Sequence, residues 1–119
     1  MEYQSDYVLR IIEQMGAALR RAFERNTEGT TSEEPLELTA EAIGLVVDMD
    51  PQLFLRLSPQ SMVSFVEISA FDDRLVAKVV EALELEGDIL EGDGNLVGAA
   101  VRREQAAALS DSIDPAQAN

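Results

Sequence analysis

Cysteine and histidine are both absent from this 119-residue sequence. Without cysteine there can be neither disulfides nor thiolate metal sites. Without histidine the chain lacks the commonest general base, the commonest transition-metal ligand and the usual pH switch. Tryptophan is missing too, and the aromatics amount to Tyr3, Tyr7, Phe23, Phe54, Phe65 and Phe71. No apolar run reaches the ~18 residues that a bilayer span requires. Positive charge is scarce: nine Lys and Arg stand against 23 Asp and Glu, for a net charge of −14. Such a field disfavours nucleic acid and anionic lipid and favours a soluble chain. The opening Met1-Glu2-Tyr3-Gln4-Ser5-Asp6 has neither the basic nor the apolar region of a signal peptide, so a cytoplasmic address is expected.

What is present suits packed helices. Apolar residues make up 46% of the chain, mostly Leu, Val, Ile, Ala and Met, enough for one domain with one core. The periodicity predicts an all-α fold of five to six antiparallel helices, either a helical bundle or a short tetratricopeptide-like helical-repeat stack. Residues 1–109 form a single helical domain in this reading, and 110–119 a frayed tail.

The first helix is expected over 5–25, capped by Ser5 or Asp6, with Val8, Ile11, Ile12, Met15, Leu19, Ala22 and Phe23 as its apolar stripe. The polar stretch Asn26 to Thr31 reads as a loop. A second helix opens near Ser32 and ends at Asp48-Met49-Asp50-Pro51, with Leu36, Leu38, Ala42, Ile43, Leu45, Val46 and Val47 as its buried side. A short segment follows Pro51, and Ser58-Pro59 restarts the chain as cap and first helical position. The fifth helix runs from about Asp73 to Glu91, and Glu91-Gly92-Asp93-Gly94-Asn95 is a turn. The last helix, about 96–109, carries Val97, Ala100, Val101 and Ala107.

The last two helices resemble a tetratricopeptide repeat. Leu83, Gly87, Leu90, Gly94, Ala99 and Ala106 fall at that repeat's packing positions, with Gly87 and Ala99 small enough for close approach. Arg103 departs from it by taking a usually aromatic slot, and no Pro closes the unit. Over most of residues 3–109 the chain also resembles an uncharacterised bacterial family, through Asp6-Tyr7-Val8-Leu9-Arg10-Ile11-Ile12-Glu13-Gln14, Asp50-Pro51-Gln52-Leu53 and Leu57-Ser58-Pro59. The resemblance implies a fold and leaves the activity open.

Two places attract functional attention. Tyr3, Tyr7, Arg10, Gln14 and Arg21 share a stripe of the first helix rotated away from the apolar one. Tyr and Arg combine area with directional bonds and are common interface anchors. Exposed, the stripe would suit a protein partner or self-association, with a homodimer as one form. Alternatively, Tyr7 packs internally and Arg10 ties down Asp6 or Glu13. The second place is acidic: Glu81, Glu84, Glu86, Asp88, Glu91 and Asp93 put six carboxylates within 13 residues. They could serve a carboxylate-based enzyme or a divalent-cation site over 81–95, yet they lack calcium-loop register, and a solvated face explains them. Asp72-Asp73 and Asp48 with Asp50 bracket helix ends and read as caps. Lys78, the single lysine, reads as a surface ion pair with Asp73 or Glu81. The expectation is a non-enzymatic protein-interaction module or small homo-oligomeric scaffold, with no cofactor and no metal.

Overall fold

The computed structural model describes residues 2–29 and 31–113, with side chains from residue 6 onward. Among the described residues there are six α-helices and no strand: α1 (Glu2–Glu28), α2 (Glu33–Gly44), α3 (Pro51–Leu55), α4 (Pro59–Ser69), α5 (Asp73–Gly92) and α6 (Leu96–Ser112). The fold is all-α, consistent with a helical bundle. α5 lies at the centre and packs against α1, α2 and α6, while α4 covers α6 and α3 rests on α2. Ion pairs from Arg21 to Glu41 and from Arg25 to Glu34 show that α1 and α2 run antiparallel.

Local chemistry sets the helix ends. Ser58 caps α4 by accepting from Ser61 N–H, and Asp72 caps α5 by accepting from Arg74 N–H. Asp50 caps α3 and Asn95 caps α6 in the same way. At the end of α5, Gly94 sits at φ +84°, Asn95 N–H reaches Leu90 O and Gly94 N–H reaches Glu91 O. This paired closure needs a left-handed residue, which glycine supplies at no steric cost. α4 closes with the same two bonds, but there Ala70 holds the left-handed position at φ 55°.

Four boundaries, in three helices, differ from expectation. α1 starts before Ser5 and continues through Asn26 and Thr27. Thr27 Oγ1 donates to Glu24 O at 2.8 Å and Arg25 pairs with Glu28, so the polar end stays helical until Gly29 at φ +76°. α2 ends at Gly44, and Leu45, Val46 and Val47 enter the core from a turn. α6 extends to Ser112, with Ile113 buried behind it. Residues 114–119 of the expected tail lie outside the described residues.

The core is continuous: Val8, Ile11, Met15 and Ala18 of α1 meet Ile43, Phe54, Met62, Val79, Leu83 and Leu109. Phe54, Phe65 and Phe71 add an edge-to-face chain with centroids 5.7 and 6.0 Å apart. On α6 the buried face is Ala99, Gln105, Ala106 and Leu109, whereas Val97 and Val101 are exposed. Gln105 sits at one edge of that face, where it bonds the end of α3, and Val97 and Val101 lie beyond that edge.

That inward face belongs to a buried polar network. Arg102 Nε donates to Glu86 Oε1 at 2.6 Å, and Thr39 Oγ1 donates to Glu86 Oε2 at 2.7 Å. Arg102 Nη1 reaches Leu55 O and Gln105 Oε1, each at 3.1 Å. Gln105 Nε2 donates to Leu55 O and Leu57 O, both at 2.9 Å. Side chains of α6 thereby satisfy carbonyls freed at the end of α3. Among the described residues no buried side-chain polar atom lacks a partner, so the network costs little of the penalty that burial would otherwise impose.

Candidate functional site

α1 uses its circumference unevenly. Val8, Ile11, Met15, Ala18 and Ala22 are buried and form its inner seam. One residue further along, Leu9, Ile12, Gly16, Leu19 and Phe23 repeat the same alternating steps of three and four. This second seam is covered only in part: Leu9 is 49% and Phe23 58% exposed, while Ile12, Gly16 and Leu19 are half-buried. Ile12, Leu19 and Phe23 were expected in the core. Ile12 and Leu19 are part-covered and packed against that core, and Phe23 stands clear of it at the lip of a groove, because adjacent residues on a helix diverge by about 100°.

The groove lies between α1 and α5, measures about 490 Å³ and is lined by Gly16, Leu19, Arg20, Phe23, Glu24, Lys78 and Glu81. Gly16 opens its floor, since a Cβ there would meet only the Arg20 guanidinium, at 3.4 Å. Lys78 Nζ is 3.2 Å from Glu81 Oε2, the ion pair expected of the single lysine. Arg20 and Glu13 are both exposed on the outer edge of the seam, and among the described residues neither makes an ion pair.

The stripe anticipated from sequence lies on the opposite flank of α1. Tyr7 is 58% exposed, and Arg10, Gln14 and Arg21 are exposed as well. Neither Asp6 nor Glu13 pairs with Arg10 among the described residues, so the internal-packing alternative is not what the fold adopts. Arg21 is engaged by Glu41 at 3.4 Å. Tyr3 lies outside the residues whose side chains are described. The structure thus places Tyr7, Arg10 and Gln14 together on an exposed face of α1.

The acidic stretch 81–95 does not converge. Glu86 is buried against Arg102, Asp88 and Glu91 both bond Arg103 at 2.9 and 2.8 Å, and Ser32 donates to Asp93 at 3.1 Å. Among the described residues no three acidic side chains gather in a manner that could hold a metal ion. The two carboxylates facing Arg103 hold its guanidinium pKa above the ordinary value, Glu91 most strongly. Arg103 lies over Gly87, where a Cβ would stand 3.3 Å from Arg103 Cγ and 3.5 Å from Ala99 O. The expected close approach of α5 and α6 at Gly87 and Ala99 is therefore present.

Other exposed apolar residues are less organised. Ile68 is 85% exposed beside a shallow groove lined by Met49, Leu57 and Phe65, and Leu96, Val97 and Val101 stand at the start of α6. Neither patch extends beyond about two turns, whereas the α1 seam spans roughly 21 Å.

Comparison with known proteins finds no matching family model, and neither the curated proteins nor the solved structures give a significant match. No helix among the described residues is long and apolar enough to cross a membrane.

Proposed function

We propose that this chain is a protein-interaction module whose binding element is α1. The observation that carries the proposal is the second apolar seam, Leu9–Ile12–Gly16–Leu19–Phe23, part-covered and bordered by charged side chains. Exposed apolar residues scattered singly need no explanation, but an ordered seam along a helix is a surface built for packing. Tyr7, Arg10 and Gln14 extend the surface around the other flank, with the residue types that anchor interfaces. The resemblance of most of residues 3–109 to an uncharacterised bacterial family, and the repeat-like hairpin of α5 and α6, fit a cytoplasmic binding role and bring no activity with them. No observation favours a carboxylate enzyme or a cation site over 81–95.

Affinity capture from the native cell, run in parallel with the unaltered chain and with Phe23→Asp, tests this reading. A specific partner, copies of the chain included, is expected with the first and lost with the second. An unchanged set of captured proteins would overturn the assignment to α1.

A further inference from the structure

We infer that the occupant of the α1–α5 groove is the α1 helix of a second copy of this chain, packed antiparallel about a two-fold axis near Gly16 and Leu19. The inference rests on the interaction reading above and names its partner. Alternating steps of three and four are the signature of a helix that receives another helix, because a 3.5-residue repeat keeps one edge facing the neighbour. The groove therefore selects a helical occupant over an extended one.

Self-complementarity identifies which helix. Placing Gly16 opposite Leu19 of a second copy sets Ile12 opposite Phe23, so these layers each join a smaller residue to a larger one, and Leu9 faces Asn26 at either end. Gly16 leaves room for the facing Leu19, since nothing but the Arg20 guanidinium lies within 4 Å of a Cβ built there. The same register brings Glu13 beside Arg20 of the second copy, and Arg20 beside its Glu13. Both groups are exposed and without ion pairs among the described residues, seven positions apart on the same edge of the seam. A parallel pairing would instead set the edge that carries Glu13 and Arg20 against the edge that carries Met15 and Ala22, with no charge pair. A two-fold contact repeats each favourable pair twice.

The charge distribution agrees. A chain of net charge −14 repels its own copies, but α1, with four bases against five acids, carries little of that charge, where α2 has four acids and no base. Two copies meeting through α1 set a nearly neutral helix of each at the contact.

Sedimentation equilibrium of the full chain tests the pairing with Glu13→Arg and Arg20→Glu, and with both substitutions together. The unaltered chain is expected to self-associate, and each single variant to do so about tenfold more weakly, since two attractive contacts become repulsive. An equimolar mixture of the two single variants is expected to form a heterodimer at the original strength, and the double variant to recover self-association. Helical circular dichroism confirms that these exposed substitutions leave the fold intact. A monomer at every concentration, or a mixture no stronger than its components, would overturn the antiparallel pairing. If the chain is monomeric while Phe23→Asp still abolishes capture of another protein, self-pairing fails and the interaction reading stands. If Phe23→Asp changes neither, both fail.

Discussion

Arg102 and Glu86 form a buried ion pair, Nε to Oε1 at 2.6 Å, with side-chain exposures of only 18% and 5%. The pair joins α5 to α6, and through Thr39 and Gln105 it extends to α2 and the end of α3. A buried pair gains little over a well-packed apolar one, but removing one member strands the other. Glu86→Ala is accordingly expected to cost about 3–5 kcal/mol in urea unfolding at neutral pH. Replacing both Glu86 and Arg102 by Met should recover much of that loss. A single-variant loss below about 1 kcal/mol would show that solvent reaches the pair.

Ala70 offers a gain in stability. It holds the left-handed position that closes α4, at φ 55°, where an L side chain costs about 1–2 kcal/mol. Glycine removes that cost but adds about 0.5–1 kcal/mol of unfolded-state entropy. The net expectation for Ala70→Gly is a stabilisation of about 0.5–1 kcal/mol, seen as a midpoint about 2–6 °C higher in thermal unfolding. A lowered midpoint would contradict the assignment of strain to this residue.

Asp72 should make stability depend on acid. Its pKa lies below the ordinary 3.8, first because the Arg74 side chain donates to it, and burial opposes the shift only in part. A carboxylate depressed in the folded state contributes stability above its unfolded pKa and loses it as pH falls through the folded value. Asp72→Ala should therefore cost about 1 kcal/mol at pH 7, through loss of the cap as well as the pair. The difference from the unaltered chain should narrow as pH drops below about 4. Urea midpoints at pH 7 and pH 3 check this, and a constant difference would contradict it.

Helix count and order were legible in the sequence because their punctuation is local. Ser58-Pro59, Asp72 and Gly94-Asn95 each fix an end within one turn, and all three act as their chemistry predicts. The polar network was hidden because Glu86 and Arg102 are 16 residues apart across a turn, and a run of acids shows no partner until the hairpin folds. The same separation made 81–95 look like an unneutralised cluster, although Arg102 and Arg103 occupy Glu86, Asp88 and Glu91. On α1, two seams offset by one residue merge into a single broad apolar stripe when read along the chain. Only the packing of α2 and α5 separates buried Ile11 and Met15 from part-covered Ile12 and exposed Phe23. The exposure of Tyr7, Arg10 and Gln14 likewise depended on which flank α2 leaves open.

The exposed seam is expected to carry binding without carrying the fold. Phe23→Asp should leave the unfolding free energy within about 0.5 kcal/mol, as is usual for a surface position. Leu83→Ala, at a fully buried site, should cost about 2–5 kcal/mol by the same measurement. A large loss for Phe23→Asp would show that the residue serves the core.

Methyl resonances of Leu9, Ile12 and Leu19, followed by NMR as the chain is diluted from millimolar to micromolar concentration, test the central account most directly. Concentration-dependent shifts are expected at these methyls, with Val97, Val101 and Ile68 unchanged. Shifts centred on Val97, Val101 or Ile68, or none at any concentration, would contradict the α1 seam as the surface on which this protein meets its own copy.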